Sequence, residues 1–256
     1  MKRVTPLDGV HNFRHWSGYD AADQRQVKPG LYRSGHFARS SDADKAFFDD
    51  LGLSVIVDFR RPRERNNEPS PWLENSTLNV ISSDHDDHDE PPHLRFLREG
   101  DLSTEAVRNY MLSAYRRIPM EKGNQAVFIE GFKALASGDA DNGLLAHCAA
   151  GKDRTGIFCA LVLGELGVSD SDVFEDYLLT NEAVDFDALV PVFQKRLIDT
   201  MGLNVPETGM RAFLGVDSDY LAEAFKIMGD RDHYLETVLG ITSDERQALR
   251  NKWLLG

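Results

Sequence analysis

The chain has 256 residues and a formal net charge of −13 at pH 7, from 29 Lys and Arg against 42 Asp and Glu. The length fits one domain over residues 1–256. The charge argues against a nucleic-acid-binding protein and against standing association with anionic lipid. Two cysteines give no disulfide framework, and no apolar stretch is long enough for a signal peptide or a membrane span. We therefore expect a single-domain cytoplasmic protein without stable membrane insertion.

The first 140 residues are predicted to alternate between helices and short strands. Ser40, Ser41 and Asp42 signal the start of the first helix, and Gly52 ends it. The run at 53–59 is rich in β-branched residues and predicts a buried strand. In chain order, the predicted elements are a helix over 43–50, strands over 53–59 and 79–81, and helices over 103–117 and 124–137.

An irregular acidic segment, SDHDDHDEPPH, interrupts this pattern at residues 83–93. Its composition favours a solvated loop. His and Asp are also metal ligands, but their spacing matches no closed zinc pattern, and neighbouring carboxylates repel unless a cation is present. A mobile lid is the third interpretation, and the longer segment 84–137 is a candidate lid or insertion.

The stretch AHCAAGKDRTG at residues 146–156 joins two apolar runs. Upstream, 143–146 has the composition of a short buried strand, and downstream 155–166 has an apolar face at helical spacing. The stretch is therefore predicted to be a strand–turn–helix, with Cys148 at the end of the strand and Arg154 in the first turn of the helix. Free backbone N–H groups and the positive end of a helix dipole converge at such a turn, which makes it an anion site.

The remainder of the chain is predicted to be helical. The predicted helices cover 170–181, 186–201, 218–229, 231–239 and 243–254, with Ser218 and Ser243 as caps. Because the strands cluster in the first 150 residues, we predict an α/β fold with a mostly parallel central sheet flanked by helices and a helical C-terminal half. The turn that carries Cys148 then lies at the C-terminal edge of the sheet.

The side chains of this turn suit phosphoryl transfer. Cysteine reacts as the thiolate, which the N–H groups, the helix N-terminus, Lys152 and Arg154 would stabilise. The same groups bind a phosphate dianion, and Arg154 can hold two of its oxygens. This predicts in-line attack by Cys148 on phosphorus and a phosphocysteine that water hydrolyses, with Thr155 donating to the departing sulfur. No metal or other cofactor is required, because backbone amides and the arginine neutralise the charge. The phosphate-binding residues would be Ala149, Ala150, Gly151, Lys152, Asp153, Arg154 and Thr155.

Three other kinds of site, besides an ordinary structural turn, also place a glycine-containing loop or a cysteine between a strand and a helix. An ordinary strand–helix turn with a buried cysteine would not need Gly151, Arg154 and Thr155 in this register. A phosphate-recognition module without efficient turnover would use the same loop, and a rhodanese-like sulfur transferase would also use a loop cysteine. A nucleotide P-loop does not fit, since the earlier glycine is absent and Asp153 follows Lys152 where Ser or Thr is required.

The run HCAAGKDRTG at 147–156 resembles the signature of the cysteine-dependent phosphatases, and its Lys-Asp pair resembles the atypical bacterial tyrosine/lipid phosphatases. The similarity extends to NFR at 12–14, LYRSG at 31–35, VDFR at 57–60 with Glu64, and DYLLTN at 176–181. HWS at 15–17 departs from the family, which more often has an acidic residue and glycines there. The resemblance implies a cysteine-phosphatase-like fold. It also implies dephosphorylation of phosphotyrosine, sometimes of phosphoserine or phosphothreonine, and in several members of phosphoinositides.

The proton donor for the leaving oxygen has three candidates. Asp58 ends a strand, and neighbouring parallel strands would bring it to the same sheet edge as Cys148. Asp153 lies beside the phosphate, where it could instead orient Arg154. The third candidate is a carboxylate of the segment 84–90. For each of them the structural alternative is an ion pair with a nearby arginine.

Further charged residues bear on the choice of substrate. Lys152 makes the turn more cationic than one phosphate requires, which favours a phosphorylated protein or a phosphoinositide or inositol phosphate as partner. The arginines of RRPRER at 60–65 have two interpretations. They form a solvated loop with internal ion pairs, or Arg60 helps to hold the site while the later arginines bind a second phosphate. His147 is expected to be a hydrogen-bonded structural residue.

Overall fold

The computed structural model describes residues 3–73, 76–86, 92–99 and 101–256. The strands among these residues are β1 (Arg14–His15), β2 (Gln26–Val27), β3 (Leu31–Ser34), β4 (Val55–Asp58), β5 (Asn79–Ile81), β6 (Leu144–His147) and β7 (Leu254–Leu255). Five of them form the central sheet in the order β1-β3-β6-β4-β5. Strands β3, β6, β4 and β5 run parallel, and β1 is an antiparallel edge strand. This confirms the predicted α/β fold with a mostly parallel sheet.

Helices surround the sheet and make up most of the chain after β6. They are α1 (Asp42–Asp50), α2 (Pro62–Asn67), α3 (Pro92–Glu99), α4 (Thr104–Arg117), α5 (Lys122–Ala136), α6 (Asp153–Glu165), α7 (Asp170–Leu178), α8 (Thr180–Ala183), α9 (Phe186–Met201), α10 (Glu207–Leu214), α11 (Ser218–Met228), α12 (Arg231–His233) and α13 (Ser243–Trp253). None of the helices in the described part of the chain combines the length and the apolar character that a membrane crossing needs.

Two predicted strands differ in extent from those in the structure, and several other strands were not predicted. The strand predicted over 53–59 is confined to β4, and the one predicted over 143–146 is shifted by one residue in β6. Strands β1 and β3 were not predicted, because Arg14, Arg33 and Ser34 are buried polar residues that hide the apolar pattern. Strand β2 was missed because it has only two residues. The last residues are not helical, since β7 pairs with β2 in a separate antiparallel ribbon.

The helix predictions also need correction. Helix α3 was missed because its sequence opens with prolines, although Pro92 at the first helical position is favourable. Helix α10 was missed because it contains Gly209, whose missing side chain lets it pack on the carbonyl of Leu102. The helix predicted over 170–181 is divided into α7 and α8, and the one over 231–239 continues from α12 as a π-helical turn, Tyr234–Val238. The caps of α11 and α13 are Asp217 and Thr242, each one residue before the serine that was predicted.

The two faces of the sheet bury two different hydrophobic clusters. Along β4, Val55 and Val57 belong to the large cluster that includes Phe158 of α6, whereas Ile56 belongs to the cluster that includes Phe48 of α1. This is the period-two alternation expected of a strand covered on both faces. A third cluster joins α3, α9 and α10. Within the segment 84–137, α4 and α5 both contribute to the large cluster, through buried side chains such as Met111 and Phe132.

Candidate active site

The segment with Cys148 connects the C-terminal end of β6 to the N-terminus of α6. Strand β6 ends at His147, and α6 begins at Asp153, so the five residues 148–152 form a loop at the edge of the sheet and Arg154 lies in the first helical turn. The predicted strand–turn–helix is confirmed. Cys148 is buried and free, and Cys159 is a second free cysteine inside α6. Burial raises the pKa of Cys159 to about 12, so this thiol stays protonated.

Gly151 lets the loop turn closely over strand β3. Its backbone φ of 68° lies in the left-handed region, and a Cβ atom at this position would stand 2.2 Å from the carbonyl oxygen of Ser34. Any other residue would both strain the backbone and collide with β3. The underside of the loop is therefore in direct contact with β3 and, through Asn12, with the segment that precedes β1.

Arg154 is held in place by Glu64 of α2. The guanidinium Nη1 donates to Glu64 Oε2 at 2.6 Å and to the carbonyl of Phe59 at 2.8 Å, and Nη2 donates to Glu64 Oε1 at 2.8 Å. Burial opposes ionisation of Glu64, but the adjacent Arg154 outweighs it and lowers the pKa of Glu64 to about 2. The same pairing raises the pKa of Arg154. The arginine is therefore charged and fixed at both ends of its fork.

Asp58 lies on the neighbouring strand, directly opposite His147. Its two oxygens accept hydrogen bonds from Arg60, at 3.0 Å and 3.1 Å from Nε, 2.8 Å from Nη2 and 2.9 Å from the backbone N–H. Burial opposes ionisation of Asp58, but His147 and Arg60 together lower its pKa. His147 Nε2 lies 3.6 Å from Asp58 Oδ2, and burial lowers the pKa of His147 to about 4. Arg60 also donates to the carbonyl of Glu68 at 2.6 Å, which ties it to the end of α2.

Asp153 is the first residue of α6 and is joined to two buried tyrosines. Tyr177 donates to the hydroxyl of Tyr115 at 2.6 Å, and Tyr115 donates to Asp153 Oδ1 at 2.7 Å. Burial raises the pKa of both phenols well above the usual value, so each acts as a neutral donor. The Asp153 side chain is 23% exposed, in contrast to 2% for Asp58.

Lys152 connects the loop to the end of α10. Its ammonium group donates to the carbonyls of Phe213 and Gly215 at 2.7 Å and 3.1 Å, and it lies 3.3 Å from Asp153 Oδ1. The side chain is 7% exposed. In this structure Lys152 therefore binds the protein's own backbone, and the two carbonyl bonds would have to exchange before it could contact a substrate.

The remaining arginines after β4 lie in ion pairs with carboxylates of other segments. Arg61 Nη2 is 3.0 Å from Glu121. Arg63 and Arg65 reach into the acidic segment, where they pair with Asp86 at 3.3 Å and Asp84 at 2.9 Å. Residues 87–91 of that segment, which include most of the acidic candidates within 84–90, lie outside the described residues. Over the ranges that are described, no three His, Cys, Asp or Glu side chains are grouped to hold a metal ion.

Helix α3 brings His93, the last residue of that segment, close to the pair formed by Arg154 and Glu64. Burial lowers the pKa of His93, and Glu64 and Arg154 are among the charges that act on it. The sequence singled out this segment as a lid or acid source, but nothing in its composition placed His93 beside the arginine.

Polar residues beneath the loop were not predicted to have a role in the site. Arg14 of the NFR motif is fully buried and donates to the carbonyl of Asp176 at 2.9 Å and to Thr180 at 3.2 Å. Arg33 donates to Asp176 Oδ2 at 2.7 Å. The signal that could have found them is the occurrence of arginine within short strands, where a buried charge must have a partner.

The site thus brings together a thiol, a helix N-terminus and a fixed arginine at the carboxyl edge of a parallel sheet, which is an arrangement suited to phosphoryl groups. Residues 5–255 match the family described as the tyrosine phosphatase family. The chain is 33% identical over 269 residues to a Cupriavidus necator protein named "Putative tyrosine-protein phosphatase", with 98% of this chain and 88% of the relative covered. It is 31% identical over 248 residues to the "Triple specificity protein phosphatase PtpB" of Mycobacterium tuberculosis, with 86% and 87% covered. The chain therefore belongs to the tyrosine phosphatase family, and it is a phosphatase.

Proposed function

We propose that this phosphatase is a metal-independent, cysteine-dependent hydrolase of phosphoric monoesters, built as a single domain and acting in the cytoplasm on phosphotyrosine proteins. The observation that carries the proposal is the position of Cys148 between the end of β6 and the N-terminus of α6, with Arg154 held by Glu64 beside it. A phosphate bound there would meet the loop N–H groups, the arginine fork and the thiol at once.

Hydrolysis of the phosphoric monoester proceeds in two steps. The Cys148 thiolate attacks phosphorus in line, the P–O bond to the substrate breaks, and the leaving oxygen takes a proton from a general acid. Water then attacks the phosphocysteine and gives its proton to the conjugate base of the general acid, the P–S bond breaks, and the sulfur leaves as the thiolate. The hydroxyl of Thr155 is buried and makes no hydrogen bond within the described residues, so it is available to donate to the departing sulfur.

We assign the role of general acid to Asp153 rather than Asp58. Asp58 is directed with Ile56 toward the α1 face of the sheet, where His147 lies against Phe37, and Arg60 occupies both of its oxygens. Asp153 has one oxygen bound by Tyr115 and is the more exposed of the two carboxylates. Among the described residues its second oxygen has no hydrogen bond or ion pair, and we assign this oxygen to the leaving group.

Matched Asp153→Asn and Asp58→Asn variants test this assignment. A general acid matters most for a poor leaving group, so Asp153→Asn should reduce hydrolysis of a phosphotyrosine peptide far more than that of p-nitrophenyl phosphate, and should flatten the basic limb of the rate profile. Asp58→Asn should reduce both activities in the same proportion. If neither variant separates the two substrates, the proton comes from the segment 84–90.

We extend the proposal to phosphoserine or phosphothreonine and to phosphoinositides. The name of the Mycobacterium tuberculosis relative states a triple specificity, which supports a wide range. Lys152 would be the second cation for a substrate with several phosphates, provided that it leaves the carbonyls of Phe213 and Gly215. Phosphopeptides, phosphoinositides and inositol phosphates should be compared side by side. Lys152→Ala should weaken phosphoinositide hydrolysis more than aryl phosphate hydrolysis, and equal losses would contradict the lipid assignment.

A further inference from the structure

The carbonyl oxygens of four successive loop residues are turned toward the body of the protein. Ala149 accepts from the backbone N–H of His36 at 3.2 Å. The carbonyls of Ala150 and Gly151 accept from Asn12 Nδ2 at 3.1 Å and 2.9 Å. Arg33 Nη2 donates to the carbonyls of Gly151 and Lys152 at 3.0 Å and 3.4 Å.

This pattern determines where the loop N–H groups point. A trans peptide is planar, with its C=O and the following N–H on opposite sides. A carbonyl that is turned inward therefore turns the N–H of the next residue outward. The donors beneath the loop thus direct the N–H groups of residues 150–153 toward the side on which an anion would bind.

The donors beneath the loop also leave an excess of positive charge. Arg14 and Arg33 share the carboxylate of Asp176, with distances of 3.7 Å and 2.7 Å, and all three side chains are buried. Two guanidinium groups against one carboxylate leave one net positive charge under the loop. Such a charge is costly in the interior unless an anion lies nearby. Burial opposes ionisation of Arg33, and the hydrogen-bonded carboxylate of Asp176 raises its pKa.

We propose that Asn12 and Arg33 are positioning residues for phosphate binding: they hold the loop carbonyls inward, and Arg33 adds positive charge from below. They act through the loop and do not touch the substrate themselves. This inference rests on the proposed function of the loop as the phosphate site. Asn12 of NFR and Arg33 of LYRSG are then present because each donates hydrogen bonds to carbonyl groups of the loop.

Arg33→Lys tests the inference because it retains the charge and loses the fork. One ammonium group cannot reach Asp176 and both loop carbonyls, so the carbonyls of Gly151 and Lys152 should be held less firmly. The N–H groups of Lys152 and Asp153, which follow those carbonyls, should then lose part of their direction. Loss of one hydrogen-bond donor that contacts a reacting oxyanion lowers kcat by about 100- to 1000-fold. Because Arg33 acts only through the loop, we expect Arg33→Lys to lower kcat/KM by about 10- to 100-fold. Inhibition by orthovanadate should weaken by a similar factor.

Asn12→Gly is the second variant, and it keeps the inference testable if Arg33→Lys does not fold. Asn12 has a backbone φ of 60°, which glycine adopts without strain, so the change removes the side-chain amide without straining the backbone. The loop loses its donor to Ala150 and Gly151, and Arg14 loses the amide oxygen to which it donates. The variant should weaken orthovanadate inhibition and should slow alkylation of Cys148 by iodoacetate, an anionic reagent that enters the same site.

Arg246→Lys is the matched control. Arg246 is a buried arginine with three carboxylate partners, Glu165, Asp232 and Glu236, and it lies outside the loop network. It should lower the melting temperature while kcat/KM and orthovanadate inhibition stay unchanged. If Arg33→Lys and Asn12→Gly behave like this control, the network is only structural and the inference fails.

A separate measurement distinguishes this failure from failure of the proposed function. Titration of inorganic phosphate into Cys148→Ser, with and without Arg33→Lys, reports binding without turnover. The inference requires weaker binding in the double variant. The proposed phosphocysteine mechanism is contradicted instead if Cys148→Ser retains turnover, whatever its affinity for phosphate.

Discussion

The pair formed by Glu64 and Arg154 leads to a prediction for both stability and catalysis. Glu64→Gln keeps the shape of the side chain and removes its charge. The pKa of Glu64 is about 2 in the folded protein against an ordinary 4.5, and this gap corresponds to about 3 kcal/mol at about 1.4 kcal/mol per pH unit. Because Arg154 would remain buried with only one weak acceptor in place of a carboxylate, we expect the variant to be about 3 kcal/mol less stable at pH 7.

The sign of the pH dependence follows from the same pKa. Since the folded pKa is depressed, the stabilisation by Glu64 is complete above its unfolded pKa and is lost only as the pH falls from 4.5 toward about 2. The stability difference between the two proteins should therefore be constant between about pH 5.5 and pH 8. Urea unfolding at several pH values measures it.

The catalytic consequence is larger than the stability change suggests. Arg154 loses one of its three fixed hydrogen bonds and keeps only a weaker, uncharged bond to residue 64. A displacement of about 1 Å in a phosphate-binding group costs on the order of 100-fold in rate. We expect kcat/KM to fall by about that factor. Glu165→Gln is the matched control, because Glu165 also pairs with buried arginine but lies away from the loop. A stability loss below about 1 kcal/mol, as for an exposed ion pair, or an unchanged kcat/KM would refute the reasoning.

Three further predictions concern the loop and its neighbours. Because burial lowers the pKa of His147 from 6.5 to about 4, the unfolded chain takes up a proton before the folded one, and the protein should lose about 3 kcal/mol as the pH falls from 6.5 to 4. His147→Asn should remove this part of the slope in urea unfolding; an unaltered slope would mean that other groups cause it. Cys148→Ser should abolish turnover and retain phosphate binding by calorimetry, and more than a few per cent of residual activity would contradict a phosphocysteine. Lys152→Met should speed hydrogen exchange at 213–216, since both carbonyl bonds are lost, and unchanged exchange there would show that the lysine does not hold α10.

The sequence predicted the strand, loop and helix around Cys148 well because the information for them is local. The apolar runs on either side of Cys148, the glycine and the arginine all lie within a few residues, so strand, loop and helix follow from periodicity and known turn chemistry. The α/β class follows equally from the order of the elements. Strands β1 and β3 could not be found in this way, because Arg14 and Arg33 are polar residues whose burial is explained only by partners more than 100 residues away. These partners are Asp176 for Arg14 and Gly151 for Arg33.

The partners of the site residues were the part that could not be predicted. Arg154 and Glu64 are 90 positions apart, and Lys152 and Phe213 are 61 apart. Such pairs depend on which strands are neighbours and on where α10 packs, and neither follows from residue spacing. The position of Asp58 at the carboxyl edge of the sheet was predicted, but its contacts were not. Side chains alternate between the two faces of a strand, and this alternation turns Asp58 toward the α1 face.

The register of the central strands limits which segments of this protein can change in length. Ser34, His147 and Asp58 lie side by side on β3, β6 and β4. Deleting one residue within a strand would exchange its two faces and turn the Asp58 carboxylate away from His147, which no neighbouring substitution could repair. The segments beyond the strand ends are free of that constraint. A designer who wishes to change substrate preference should therefore alter the connection after β5. The number of residues in the strands and the connection after β4, which carries Glu64, should stay untouched.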